Sequence, residues 1–217
     1  MARDQGEAVT TAFTEIPAAL RGHDIAVVDV EGNGQNPPEI IEIAIIPVAG
    51  TAVSPDETRS WLIKPKNPIT PIVTRKVHGI TNNDVANCPE WETVSPAVGR
   101  VMFGRTLVAH NANVEQKVLT AHLPDWKPLM VLDTLRLAKA VWPGLKSYAL
   151  DKLIEHAQLD MRGLDDDQEY HRAGYDAWAA WQLLCRLVRE GELDWDAVVQ
   201  AAGLPEFLTP PEPEGLF

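Results

Sequence analysis

The chain has 217 residues, of which 45% are hydrophobic and 23% are charged. This composition is typical of a globular protein, and with two cysteines it excludes collagen-like, disordered and disulfide-scaffold classes. There are 19 Lys and Arg against 31 Asp and Glu, which gives a net charge of -12. The sequence also has no obvious basic run of the kind with which proteins bind long duplex DNA. No apolar run approaches the roughly 18 residues of a membrane span, and residues 1–20 lack the apolar segment of a secretory signal. We therefore expect a cytoplasmic protein.

Three apolar runs rich in β-branched residues come first and predict strands over 24–30, 39–48 and 58–64. Their short connections favour an antiparallel meander. After these strands, helices are predicted over 90–102, 113–122, 133–141, 147–157 and 171–189, and two further strands over 106–109 and 129–132. Strands first and strand-helix alternation afterwards predict an α/β fold, a mixed sheet of three antiparallel strands plus parallel strands, flanked by helices.

The domain boundaries are predicted from composition. Residues 1–20 are expected to be a flexible N-terminus, residues 21–202 the folded domain, and residues 203–217 a tail rich in Pro and Glu.

Two carboxylates, Asp29 and Glu31, end the first apolar strand. The strand period of two places both on one face of the sheet. Burying like charges side by side is costly unless a cation neutralises them, which indicates a metal site. The alternative is a strand end that emerges into solvent.

A second acidic residue pattern follows the strand over 106–109, where His110 and Asn111 precede a helix. Asn113 is predicted to cap this helix, which puts Glu115 in its first turn. The helix dipole there favours an ionised carboxylate. Glu115 is therefore either a cation ligand or an ordinary complement to the dipole.

A third pattern joins His171 to Asp176 at the start of a late apolar helix. Residues five apart do not share a helical face, so His171 is expected on the loop or first turn that enters the helix. An unpaired Asp in such a helix would be costly. For His171 the alternative is a surface or capping role.

In chain order these motifs are Asp-x-Glu, His-Asn-Ala-x-x-Glu and His-x-x-x-x-Asp. This order resembles the DEDDh branch of the DnaQ-like 3′–5′ exonuclease superfamily, which has a ribonuclease-H-like fold, and the resemblance covers residues 23–189. The segment 77–81 (VHGIT) is similar to a segment of that family, as are Asp133 and Thr134. Residues 137–150 are similar to the bacterial exonuclease-X-like group.

The resemblance implies a metal-dependent 3′–5′ exonuclease that releases nucleoside monophosphates from the 3′ ends of single-stranded DNA or RNA. Two Mg²⁺ or Mn²⁺ ions suit hard carboxylate oxygens, and the ligands would be Asp29, Glu31, Glu115 and Asp176. His171 is suited to take a proton near neutral pH. The substrate-binding residues that the resemblance implies are Asn111, His110, Ile80, Gly32 and Asn33.

The sequence departs from the family's pattern at three places: Glu115 stands where Asp is usual, Val114 where an aromatic residue is usual, and Gly32-Asn33 where Thr-Thr is usual. A longer carboxylate at a metal site leaves reduced or Mn²⁺-preferring activity open. Two other functions stay open. One is hydrolysis of small nucleotides or short oligonucleotides, and the other is non-catalytic binding of nucleic-acid ends.

Overall fold

The computed structural model describes residues 14–161, 164 and 171–208. The strands of this part of the chain are β1 (Thr14–Glu15), β2 (Ile25–Gly32), β3 (Ile40–Val48), β4 (Ala52–Val53), β5 (Arg59–Leu62), β6 (Thr106–Ala109) and β7 (Val131–Asp133). Its α-helices are α1 (Pro71–Lys76), α2 (Trp91–Met102), α3 (Asn113–His122), α4 (Thr134–Val141), α5 (Leu150–Ala157), α6 (Ala173–Glu190) and α7 (Trp195–Ala202).

Five strands form the main sheet, in the order β5-β3-β2-β6-β7. β2, β3 and β5 pair antiparallel, whereas β6 runs parallel to β2 and β7 runs parallel to β6. The predicted α/β fold and its mixed sheet are therefore confirmed. Because β2, β6 and β7 point the same way, their carboxyl ends meet at one edge of the sheet.

Helices cover both faces of this sheet. On one face α6 packs against β2 and β3 and is flanked by α4 and α5, while α2 and α3 pack on the opposite face. The two large side chains of α6, Trp178 and Trp181, are fully buried in the first of these layers. This long apolar helix fixes the position of its own N-terminal turn relative to the end of β2.

The side chains of β2 alternate between the two layers as a strand requires. Ile25 and Val27 lie in the core beside α6, and Ala26 and Val28 lie in the core beside α2 and α3. The row that faces α6 continues toward the carboxyl end of the strand, so the next two positions in it carry carboxylates. The predicted common face of the acidic pair follows from this register.

The folded domain is longer at both ends than the sequence predicted. Ile16 and Leu20 are almost fully buried in the core, so residues 14–20 belong to the domain. At the other end Leu204 is buried, and its backbone N–H donates to the carbonyl of Val131 at 3.0 Å. This is a typical length for such a hydrogen bond. Apolar contacts therefore hold both segments, and residues 1–13 and 209–217 lie outside the described residues.

None of the helices in the described part of the chain is long and apolar enough to cross a membrane.

Candidate active site

An open cleft of about 680 Å³ lies at the edge where the parallel strands end. β2 supplies its acidic wall, and the turn after β6 supplies two polar residues. α4 and the segment 146–150 line another side, and the start of α6 with the residue His171 before it completes the lining. The residues from the predicted site that line this cleft are Asp29, Glu31, His110, Asn111, His171 and Asp176. Asp29 and His171 are 142 positions apart in the sequence. The parallel strand order and α6 bring them to one edge of the sheet.

Three of these residues approach one another closely enough to share an ion. One candidate ligand atom from each of Glu31, His171 and Asp176 lies within 4.8 Å of the other two. The distance from His171 Nδ1 to Asp176 Oδ2 is 4.0 Å. Glu31 and Asp176 are both buried, so their carboxyl groups meet with little water to separate them.

The electrostatics of the carboxyl groups reflect this crowding. Burial, together with the carboxyls of Asp176, Glu115 and Glu31, raises the pKa of Asp29 well above its ordinary value. Burial and the neighbouring Asp176 raise the pKa of Glu31 to about 8. Burial also raises the pKa of Asp176 to about 7. Without a cation, each group therefore holds its proton more tightly than an exposed carboxyl does.

Glu115 lies beside this cluster rather than in the wall of the cleft. It is buried in the first turn of α3, and burial raises its pKa to about 8. The helix begins at Asn113 after Ala112 as N-cap, so the predicted cap by Asn113 is wrong, although the place of Glu115 in the first turn is not affected. Its charge raises the pKa of Asp29, which shows that the two carboxyls are electrostatic neighbours.

The residues fit divalent cations. Within the described residues, the buried oxygens Glu115 Oε2 and Asp176 Oδ1 have no hydrogen-bond partner. Buried polar atoms are normally paired, and an ion is one of the few things that satisfies a bare carboxylate oxygen. Four converging carboxyl groups supply the hard oxygen ligands that Mg²⁺ and Mn²⁺ prefer.

His171 lies outside the helix that carries Asp176, as the spacing predicted. α6 begins at Ala173, and His171 precedes it with a φ of 66°, in the left-handed region that is uncommon for residues other than Gly. Partial burial lowers the pKa of His171. The imidazole is therefore neutral near pH 7 and able to accept a proton.

A backbone hydrogen bond holds Asn111 in place. Its φ of 64° is also left-handed, and its N–H donates to Asp133 Oδ1 at 2.9 Å. The same carboxylate oxygen caps α4 by accepting from Leu135 N–H at 2.9 Å. The Asn111 side chain is exposed at the cleft, where it is available to a ligand.

His110 also lines the cleft, but both of its ring nitrogens have partners. Nε2 donates to the Tyr148 carbonyl at 3.0 Å, and Nδ1 lies 2.9 Å from the Thr134 hydroxyl. A nitrogen that donates to a carbonyl leaves the other as acceptor in the neutral ring, which matches a hydroxyl donor. Burial lowers the pKa of His110 and keeps it in this neutral form.

The side chain of Asn33 lies inside the protein. It is fully buried, its Nδ2 donates to Glu39 Oε1 and to the Asn67 carbonyl, and its Oδ1 accepts from the N–H groups of Gln35 and Glu39. These bonds fix the turn between β2 and β3. The structure therefore places the Asn33 amide inside this turn, with its donors and acceptor hydrogen-bonded within the protein.

Gly32 and Ile80 also make contacts within the protein. The carbonyl of Gly32 accepts from His78 Nε2 at 3.2 Å. Ile80 is 5% exposed and packs in a small apolar cluster with Ile41 and Ile69. The structure thus places Ile80 inside the protein, in contrast to its predicted position beside a terminal base.

Two further parts of the site are not predicted by the sequence motifs. Lys139 and Lys146 line the same cleft and give it positive charge. Glu42 on β3 pairs in register with Glu31 and forms an ion pair with Arg172. A single Glu inside the apolar run of residues 40–48 was the available signal for Glu42, whereas nothing local marked the lysines.

The raised pKa values predict how stability depends on pH when metal is removed. The unfolded carboxyls lose their protons near pH 4, whereas the folded ones with pKa values of about 7 to about 8 keep theirs. The folded state binds more protons between these limits, so stability falls as pH rises through them. We expect the melting temperature in chelator to fall on the order of 5 °C between about pH 5.5 and about pH 8.

Adding Mn²⁺ reverses this loss, because ions displace the protons and bind the folded state. Calorimetric melting curves with and without Mn²⁺ check both parts, and the gain on adding Mn²⁺ is larger at the higher pH. Asp29→Asn, which removes one of the titrating groups, shows a weaker pH dependence. A melting temperature that rises with pH in chelator would contradict the prediction.

The chain belongs to the RNase_T exonuclease family, whose model matches residues 26–184. Enzymes of this family generally depend on divalent metal ions, in agreement with the cluster of acidic residues in the cleft.

Similar proteins include complete nucleases and polymerases. The 3′-5′ exonuclease DinG of Bacillus subtilis (strain 168) is 34% identical over 161 residues, which are 70% of this chain and 16% of that protein. The DNA polymerase III subunit epsilon of Aquifex aeolicus (strain VF5) is 28% identical over 170 residues, which are 76% of this chain and 80% of that protein. The chain spans 13% of the length of the PolC-type DNA polymerase III of Caldanaerobacter subterraneus, to which it is 29% identical over 192 residues.

A solved structure, Exonuclease X in complex with 5′ overhanging duplex DNA, has the same fold. It is 27% identical to this chain, the TM-score is 0.67, and the match covers 82% of this chain and 98% of that chain.

Proposed function

We propose that this protein is a metal-dependent 3′–5′ exonuclease that removes nucleoside 5′-monophosphates from single-stranded 3′ ends of DNA or RNA. The observation that carries the proposal is the convergence of Asp29, Glu31, His171 and Asp176 on one open cleft, with Glu115 buried beside them. Membership of the exonuclease family supports it.

The carboxyl groups of Asp29, Glu31, Glu115 and Asp176 would hold two divalent ions. When bound, such ions polarise the phosphodiester and stabilise the charge that develops on the attacking and leaving oxygens. Glu115 Oε2 and Asp176 Oδ1 accept no hydrogen bond within the described part of the chain, so these two oxygens would be available as ligand atoms.

His171 would act as the general base. It stands at the edge of the cleft, and its lowered pKa favours the neutral imidazole, which has one ring nitrogen able to accept a proton. Water attacks the terminal phosphorus and gives its proton to the imidazole, the bond from phosphorus to the 3′ oxygen of the preceding nucleotide breaks, and that oxygen is protonated to a hydroxyl. The products are a nucleoside 5′-monophosphate and a chain shorter by one nucleotide.

Positive charge in the cleft supports a nucleic-acid end as substrate. Lys139 and Lys146 are exposed there and offer ammonium groups to phosphates, and the exposed amide of Asn111 offers a hydrogen bond. Because the whole chain has a net charge of -12, which opposes binding along a long duplex, we infer local recognition of a chain end. The DNA with a 5′ overhang that Exonuclease X binds also has a recessed 3′ end, so this DNA form belongs in the test.

The proposal is tested by incubating a 5′-labelled oligonucleotide with the protein and Mn²⁺ and separating the products on a denaturing gel. Single-stranded DNA, RNA of the same sequence and a duplex with a 5′ overhang are compared. A ladder that shortens from the 3′ end supports the proposal and ranks the substrates. Intact polymers, with cleavage of dinucleotides only, would favour the short-oligonucleotide hydrolase, and binding without cleavage would favour a non-catalytic module.

Glu115 provides a separate test of the ligand set. If it holds an ion, Glu115→Gln lowers turnover at least about tenfold, since loss of even an outer-shell partner of a metal costs about 10–100-fold. Glu92→Gln is the matched control, because Glu92 lies in the first turn of α2 and is exposed. Equal, small effects of the two substitutions on initial rates would mean that Glu115 only complements the helix dipole.

A further inference from the structure

Glu42 is a buried charge in a strand that is otherwise apolar. It is 4% exposed and lies between Ile41 and Ile43 on β3, in register with Glu31 on β2. Partners in an antiparallel register have side chains on the same face, so Glu42 points to the layer that contains α6. An ionised group at such a place needs a charged or hydrogen-bonding partner.

Arg172 supplies that partner from a position 130 residues later in the chain. Its Nη2 donates to Glu42 Oε1 at 2.6 Å and its Nε donates to Oε2 at 3.0 Å, which is a two-pronged pair. The backbone N–H of Ala173 donates to the same Oε2 at 3.0 Å. Paired bonds between a guanidinium and a carboxylate fix orientation as well as distance.

These bonds fall between the two functional residues of the late motif. Asp176 lies in the first turn of α6, where its N–H donates to the Arg172 carbonyl at 3.0 Å, so the helix itself fixes its place. His171 lies before the helix in a left-handed conformation, and such a backbone persists where surrounding contacts determine it. The bonds to Glu42 act on the residue next to His171.

We propose that Glu42 and Arg172 form a positioning pair for the general base, and that they fix the backbone after His171 so that its imidazole stays at the cleft. This inference rests on the proposed exonuclease function. Both oxygens of Glu42 are occupied by donors, so the pair adds no ligand to the ion cluster, and its effect reaches the reaction through His171.

The variant Arg172→Lys tests the pair while retaining the positive charge. Lysine loses the two-pronged geometry, and a displacement of about 1 Å at a reacting group costs on the order of a hundredfold in rate. We expect kcat on single-stranded DNA to fall about 10- to 100-fold. The KM and the Mn²⁺ concentration for half-maximal rate stay within about twofold of wild type, because the ion ligands are held by β2, α3 and α6.

Arg186→Lys is the matched control, since Arg186 pairs with Glu190 farther along α6, on the exposed surface. It leaves kcat unchanged. A second variant, Glu42→Gln, keeps an acceptor for the Ala173 N–H, and we expect the double variant with Arg172→Lys to lose no more activity than the worse single variant, as two parts of one unit do. Thermal melting of each variant confirms that the protein is folded.

The outcomes separate this inference from the function on which it rests. If the wild-type protein is active and the Arg172→Lys variant has the same kcat, the positioning pair is overturned and the proposed exonuclease function stands. A variant that melts earlier but retains kcat shows that the pair only stabilises the fold, which also overturns it, as does a loss confined to KM or to Mn²⁺ dependence. Wild-type protein without turnover on any substrate overturns both.

Discussion

Replacing Asp29 by Asn lowers exonuclease turnover by more than about a thousandfold. Metal ions contribute several kcal/mol to stabilising the transition state, and each 1.4 kcal/mol is about tenfold in rate. Asp29 stands where the carboxyls of Asp176, Glu115 and Glu31 all act on it, since each raises its pKa. An amide in its place has a similar shape but removes a charge from the centre of the ligand cluster.

The fold survives this substitution, because it removes a carboxyl that is costly to ionise there. The measurement is the initial rate on single-stranded DNA with Mn²⁺, together with a melting curve in chelator. Asp24→Asn is the matched control, since Asp24 is exposed just before the same strand begins. Substantial activity in Asp29→Asn would contradict the assignment of Asp29 as an ion ligand.

Replacing His171 by Ala lowers kcat by about 10²–10⁴, which is the contribution of a general base to catalysis. The imidazole borders the cleft, and its lowered pKa prepares it to receive a proton near pH 7. We expect Mn²⁺ affinity to remain within about threefold of wild type, because the carboxyl groups persist.

Single-turnover rates and calorimetric titration with Mn²⁺ check the two parts separately. His156→Ala is the control, since His156 is exposed on α5 and contacts the ring of Trp142 instead of the cleft. His171 lies within ligand distance of Glu31 and Asp176. Loss of Mn²⁺ binding in His171→Ala would therefore make it an ion ligand and not the base.

The sequence could predict those parts of the fold and site that depend on local pattern. The apolar runs gave β2 and β3 to within a few residues, and the strand period placed Asp29 and Glu31 on one face. The spacing of His171 and Asp176 placed the histidine before the helix. In each case one element and its periodicity determine the result.

Contacts between distant segments could not be predicted in this way. The bond between Arg172 and Glu42 depends on how α6 lies across β3. Asn33 is buried by the turn that it stabilises, and Ile80 is buried by its packing with Ile41 and Ile69, so their positions follow from tertiary structure. A polar or apolar residue near a motif does not show whether the protein itself uses the side chain.

The ends of the domain show the same limit. Short strands and single turns carry little periodic signal, and β1 has two residues. Ile16 and Leu20 are fixed by the core that they enter, and the segment after α7 is fixed by a backbone bond from Leu204 to Val131. Composition alone therefore does not indicate that these segments pack against the core.

The most direct test of the central claim is mass spectrometry of the products formed from single-stranded DNA in ¹⁸O-labelled water with Mn²⁺. The account predicts nucleoside 5′-monophosphates that each carry one ¹⁸O atom on phosphorus, a shortened strand with a 3′ hydroxyl, and no product when a chelator replaces Mn²⁺. Products with a 3′ phosphate, release of internal fragments, or equal cleavage in chelator would contradict it.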